Sequence, residues 1–183
     1  MKTVLVTGAA GFIGSNLTGA LLEKGYRVVG VDNFDDTYDI CFKEGNITPF
    51  LNNENFAQYR IDIRDEDVLK SVFEKEKPEY VVHLAAKADT RKAVDTPRVY
   101  ISVNIDGTLN ILELCREYSV LNLVIASSSS VYGNSSHVPF TEDQPADRPI
   151  SPYGATKRAI EHLAHTYHHN FGMNITCLRY FNA

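Results

Sequence analysis

The chain has 183 residues, 44% of them hydrophobic and 22% charged, with 18 basic residues against 23 acidic and a formal charge of -5. That is about one domain of chain, long enough to bury roughly 70% of its unfolded surface, and 11 glycines with 7 prolines exclude a collagen-like or disordered composition. No basic block marks a nucleic-acid footprint, and no apolar run approaches the ~20 residues of a membrane helix.

Met1 leads straight into a β-branched run, Lys2–Thr7, with no signal-peptide pattern. Phe12–Lys24 has helical periodicity. Further strand-like runs follow at Arg27–Val31, Phe56–Ile61, Tyr80–Leu84, Leu121–Ala126 and Asn174–Arg179, with helices expected over Asp65–Glu74, Pro97–Tyr118 and Ser151–Phe171. Strand and helix alternating in this way imply right-handed crossovers and a parallel sheet covered by helices on both faces. The expected fold is a doubly wound α/β (Rossmann) sheet of about six strands, order 3-2-1-4-5-6, in one domain over residues 1–183. Two connections are long: Asn33–Asn55, and Tyr132–Ile150 with three of the seven prolines. Long loops at the carboxyl ends of parallel strands are where ligands sit.

The first strand runs into Gly8-Ala9-Ala10-Gly11-Phe12-Ile13-Gly14 and then a helix. Glycines let backbone approach a pyrophosphate, and a helix N-terminus supplies N–H donors and a positive dipole. The spacing is G-x-x-G-x-x-G rather than G-x-G-x-x-G. Its weight comes from context: strand before, helix after, and Asp32 at the end of the second strand. An acid there accepts hydrogen bonds from the adenosine ribose and repels a 2′-phosphate, so NAD is expected rather than NADP.

Ser151-Pro152-Tyr153-Gly154-Ala155-Thr156-Lys157 opens the last helix, with Tyr153 and Lys157 one turn apart on one face. A phenol of ordinary pKa ~10 becomes a base near neutrality when an ammonium stabilises its anion. The fifth strand ends in Ser127-Ser128-Ser129-Ser130, whose hydroxyls would face the nicotinamide at the sheet's carboxyl edge.

With those residues in place, the chain resembles the extended short-chain dehydrogenase/reductase family, in particular its nucleotide-sugar 4-epimerases. The motifs VTGAAGFIGSNL, VVGVDNFDD, YRIDIRD, VVHLAAKA, VNIDGTLNILE, ASSSSVYG, SPYGATK and LRYFN stand in family order along the whole chain. The resemblance implies that Gly8, Gly11, Phe12, Ile13, Gly14, Asp32 and Asn33 hold the cofactor's ribose and pyrophosphate, and that Asp62 and Ile63 flank adenine. It implies that Leu84, Ala85, Ala86 and Lys87 line the cofactor with Asn104 behind them, and that Phe181 touches it. Ser128, Tyr153 and Lys157 match the catalytic hydroxyl, base and partner; Tyr153 and Lys157 also contact NAD. Ser128, Ser129, Tyr153 and Asn182 match UDP-sugar contacts. The implied reaction is transient oxidation at sugar C4.

Related dehydratases carry Asp and Glu just after the matching hydroxyl, where this chain has Ser129 and Ser130; decarboxylases of the family usually have an acid at the second place. The 4-epimerase reading is therefore preferred, and VDNFDDTYD with the loop after it is most like glucuronate-type epimerases. Family members run to well over 300 residues, so a smaller substrate-gripping domain is expected to be missing. An NAD-binding fragment without turnover and a family-like scaffold are the alternatives; intact Tyr153 and Lys157 disfavour the scaffold. Homodimerisation is expected through helices 97–118 and 151–171. The widely spaced Cys41, Cys115 and Cys177 read as free thiols of a cytoplasmic protein. His162, His165, His168 and His169 share the last helix but lack a completing acid or thiol, so no metal is expected.

Overall fold

The computed structural model describes residues 1–182. Six strands form one parallel sheet in the order β3-β2-β1-β4-β5-β6: β1 Thr3–Thr7, β2 Arg27–Val31, β3 Phe56–Tyr59, β4 Tyr80–His83, β5 Asn122–Ser128 and β6 Ile175–Tyr180. The order is the expected one. It places the switch between β1 and β4, the point where a doubly wound sheet opens a crevice at its carboxyl edge.

Alternation along β1 sends Leu5 to one face and Val4 and Val6 to the other. Leu5, Val29, Val81 and Ile125 pack with Leu69 and Phe73 of α3 (Glu66–Glu76), Ile111 and Leu112 of α6 (Gly107–Glu117) and Ile160 of α7 (Pro152–Phe171). Val4, Val6 and Val28 pack against Leu17 and Leu21 of α1 (Phe12–Glu23) and Ile47 of α2 (Ile40–Ile47). A strand with side chains buried on both faces reads as a continuous apolar run, which is how β1 and β2 look in sequence. On the second face, Leu178 of β6 remains 40% exposed.

Two segments differ from expectation. The connection 33–55 is not plain loop: Asp39 accepts the Cys41 N–H and starts α2, and a 3₁₀ turn Thr48–Phe50 follows. Gly45 and Asn46 dilute the helical signal there, while Lys43 and Ile47, four apart, face inward. The helix expected over 97–118 is interrupted. Short α4 (Lys92–Asp95) precedes α5 (Pro97–Tyr100), and a π turn, Ile101–Asp106, separates α5 from α6. The wide turn carries the fully buried Asn104 into the interior. Such turns cluster at functional sites.

The sheet's far side is locked by one carboxylate. Glu161 of α7 accepts from Ser127 at 2.5 Å, Arg158 at 2.6 Å, and Arg179 of β6 at 2.9 and 3.0 Å. Burial pushes its carboxyl up, but Arg179, Ser127 and Arg158 outweigh that and hold it below the usual range. Removing one member of such a pair strands the other's charge. Glu161→Ala is expected to cost about 3 kcal/mol of folding free energy, with Glu161→Gln recovering part; urea unfolding measures both.

Candidate active site

The glycine turn follows directly from β1. Gly8 sits at φ +69, and a Cβ there would stand 2.8 Å from the Ala85 nitrogen; a Cβ on Gly14 would stand 2.1 Å from the Gly8 carbonyl oxygen. Only glycine permits that approach. Helix α1 begins at Phe12 with no side chain capping its first turn, which leaves N–H donors for an anion. In front of the turn lies a cavity of about 460 Å³, lined by Gly8, Gly11, Phe12, Ile13 and Gly14. Asp32 and Asn33 from the β2 end, Asp62 and Ile63 from the β3 end, and Leu84–Lys87 from the β4 end complete the expected wall.

Asp32 is only 6% exposed. One of its oxygens accepts the Ala10 N–H at 3.1 Å; the other accepts the Phe34 N–H at 2.8 Å and the Lys43 ammonium at 3.3 Å. The carboxylate thus shapes its own loop besides facing the cavity, and Lys43 offsets part of its charge. Sequence reading missed Lys43 because it treated its segment as loop. Asp62, bonded by Arg64 and Asn33, is held down at about 2: the Arg64 hydrogen bond acts first, against the opposing effect of burial. Lys87 reaches Asp35 at 2.6 Å, joining the loops after β2 and β4 across the end of β1.

The carboxyl end of β5 carries Ala126, Ser127 and Ser128 to the same edge. Ser151 caps α7 by accepting the Gly154 N–H at 3.0 Å, which starts the helix just before Tyr153. Tyr153 and Lys157 are both buried on it. The Lys157 ammonium donates to the Ala126 carbonyl at 2.6 Å and stands 5.9 Å from the Tyr153 ring centre. Burial pushes the Lys157 ammonium down to about 8. Burial also raises the Tyr153 phenol, and the nearby Ser128 hydroxyl offsets only part. This reverses the expectation of a phenol depressed by its lysine: both groups are out of water, and the ammonium is spent on a carbonyl.

Asn104 stands behind residues 84–87, accepting the Lys87 N–H and donating to the Lys87 carbonyl and to Thr156. Ser129 lies in the 3₁₀ turn after β5, and its neighbour Ser130 gives its N–H to the Ser128 hydroxyl. Phe181 does not join the cavity. It is 57% exposed and its ring neighbours are Tyr132 and Phe140, while Asn182 is exposed after β6. Among the described residues no three His, Cys, Asp or Glu side chains converge as a metal site, and the three cysteines are free.

A parallel sheet in this order, with a glycine turn at its switch point and a Ser–Tyr–Lys group beside it, is the architecture of the short-chain dehydrogenase/reductase class. The chain belongs to the family described as GDP-mannose 4,6 dehydratase, whose model matches residues 5–183, and within it to a UDP-glucuronate 4-epimerase-like branch of the extended short-chain dehydrogenases/reductases. It is 47% identical over 183 residues to a UDP-glucuronate 4-epimerase of Thermodesulfobacterium geofontis, covering 100% of this chain and 56% of that one. A UDP-glucuronic acid 4-epimerase of Bacillus cereus, solved with UDP-glucuronic acid and NAD, superposes with a TM-score of 0.91 at 41% identity, over 98% of this chain and 56% of that one. A Thermus thermophilus UDP-glucose 4-epimerase, solved with NAD, gives 0.86 at 36% identity, over 97% and 54%. The chain therefore spans about half the length of the relatives it matches.

Burying Lys157 has a thermodynamic signature. Its pKa is lower folded than unfolded, so the unfolded chain binds the extra proton between about 8 and the ordinary 10.5. Stability rises with pH through that window, and the penalty is full below it. Lys157→Met is expected to raise the unfolding midpoint at pH 7, with the gain shrinking toward pH 10.5. Chemical denaturation at the two pH values checks this.

Proposed function

We propose that this chain carries the cofactor-binding and catalytic half of an NAD-dependent nucleotide-sugar 4-epimerase acting on UDP-glucuronate. The observation that carries the reading is the placement of Ser128, Tyr153 and Lys157 at the carboxyl end of β5, where Ala126 both accepts from the Lys157 ammonium and lines the cavity of the glycine turn. The cradle fits a dinucleotide: glycine at 8 and 14 lets the turn close on Ala85 and on itself without a side chain between, and the bare α1 N-terminus leaves N–H donors for a pyrophosphate. NAD, when bound, accepts a hydride from the sugar and returns it.

Tyr153, as phenolate, takes the proton from the sugar C4 hydroxyl. Ser128 donates to the same oxygen and fixes its position. The 4-keto sugar turns over in the site, and Tyr153 gives the proton back to the oxygen on the other face. Because burial holds the phenol high, the phenolate depends on nearby positive charge, to which Lys157 contributes. Ser129 and Ser130 supply no carboxyl group to expel water, which favours epimerisation over dehydration. The high identity to UDP-glucuronate 4-epimerases supports the choice of sugar. Val99, Ile101 and Leu109 are exposed on the segment 97–118, which supports a homodimer through that segment and α7. Free thiols support a cytoplasmic location, and no helix is long and apolar enough to cross a membrane.

Two measurements test this reading. In titrations of the 183-residue chain, NAD is expected to bind at least tenfold more tightly than NADP. Lys43→Met is expected to widen that ratio by unmasking Asp32, and equal affinities would remove Asp32 as the selecting residue.

The chain alone is expected to bind NAD without epimerising UDP-glucuronate. Followed by the remaining length of the T. geofontis relative, it is expected to turn over. Tyr153→Phe in that longer protein should lower kcat by roughly 10²–10⁴-fold with KM little changed. A folded, NAD-loaded protein of that length with no epimerase activity would sink the proposal.

A further inference from the structure

His83 ends β4, is 3% exposed, and takes no part in the chemistry above. Its register partner on β1 is Thr7, the last residue before the glycine turn. The Thr7 hydroxyl oxygen accepts the N–H groups of Leu84 and Ala85, each at 3.2 Å, the Leu84 N–H being shared with the Thr7 carbonyl, also at 3.2 Å. A hydroxyl has two lone pairs and one proton. With both lone pairs engaged, Thr7 donates its proton to His83 Nδ1, 2.7 Å away. Nδ1 is then an acceptor, and a neutral ring carries its hydrogen on Nε2, which donates to the Thr108 hydroxyl at 2.9 Å. Thr108 in turn donates to the Asn104 carbonyl at 2.5 Å.

From Asn104 the connection continues through its side chain. The amide donates to Thr156 at 3.0 Å, and Thr156 donates to the Tyr153 carbonyl at 2.7 Å. The other amide contacts of Asn104 hold both the N–H and the C=O of Lys87. The cofactor wall 84–87 is thus pinned at its start by Thr7 and at its end by Asn104, and His83 joins the two anchors. An imidazolium does not fit: a second ring donor would meet a Thr7 oxygen whose lone pairs are taken. Burial, with the Lys157 charge behind it, pushes His83 down to about 3, in the same direction.

We propose that His83, held as the neutral Nε2–H tautomer, is a positioning residue that couples the glycine turn to the helix of Tyr153 and sets the cofactor wall between them. The proposal rests on reading this cavity as the NAD site. Its first test needs no substitution. Nitrogen NMR of the uniformly labelled chain is expected to show a histidine with Nδ1 unprotonated and Nε2 protonated, unchanged from pH 8 to pH 5; His83→Asn and His83→Gln assign the signal by its loss. A His83 carrying a proton on Nδ1, or charged at pH 7, overturns the proposal even where a variant fails to fold.

The two substitutions also divide the connection. Gln sets an amide where Nε2 stood and keeps the Thr108 bond; Asn sets a carbonyl where Nδ1 stood and keeps the Thr7 bond. Gln, releasing Thr7, is expected to weaken NAD binding about tenfold. Asn, releasing Thr108, is expected to leave NAD within about threefold and to move the Tyr153 titration, read from labelled tyrosine, down toward the ordinary phenol value. Folded Asn and Gln variants that both match the parent in NAD affinity and Tyr153 titration overturn the coupling. A parent chain that binds no NAD refutes the proposed function, whereas the tautomer and the Tyr153 titration still decide the role of His83.

Discussion

A close backbone approach at the glycine turn governs the rest. Gly8 turns the chain so near Ala85 that no side chain fits between them, and Gly14 repeats the condition one turn later against Gly8 itself. Because β1 lies between β2 and β4, this contact places the α1 N-terminus at the switch point, where the loops from both neighbours must arch around it. Asp32 and Lys87 are the inner residues of those loops. One bonds back to Ala10 and the other reaches out to Asp35, so each loop is fixed against the turn or against its neighbour.

Around that contact several buried polar groups are held, each in a different way. Glu161 remains ionised because Arg158, Arg179 and Ser127 surround it. His83 is neutral, since two threonines leave room for only one ring hydrogen. Asn104 gives both amide hydrogens to Lys87 and Thr156 and accepts the Lys87 N–H on its oxygen. Buried polar networks that are complete specify one arrangement, because any slip leaves a donor or acceptor orphaned. Here that specificity is placed between the cofactor wall and the helix that carries Tyr153.

Much of this was legible in the sequence. Strand order followed from alternating apolar runs and the handedness of crossovers, and the cradle followed from glycines set between a strand and a helix. What escaped was whatever depends on a partner distant in sequence. Lys43 gains its meaning from Asp32, and the π turn at 101–106 from the demand that Asn104 face Lys87 and Thr156; neither leaves a periodic signal. His83 lay inside a quoted motif, yet its role required knowing that Thr7 stands beside it in register. Phe181 shows the reverse case: a match by motif assigned it to the cofactor, while its ring neighbours at the end of β6 are Tyr132 and Phe140.

The paired shifts of Tyr153 and Lys157 bring these strands of argument together. Sequence spacing alone suggested an ammonium poised to ionise a phenol. Burial instead raises the phenol and lowers the ammonium to about 8, so both groups are pushed toward their uncharged forms. A buried phenolate or an unpaired buried ammonium would each carry a desolvation cost, which is why both shifts run toward the neutral form. The Ala126 carbonyl holds the ammonium meanwhile, at the cost of folding free energy below pH 8. Burying Tyr153 and Lys157 costs stability, while Glu161 and Asn104 hold the surrounding elements in one arrangement, so a marginally stable domain keeps these two groups in a fixed geometry.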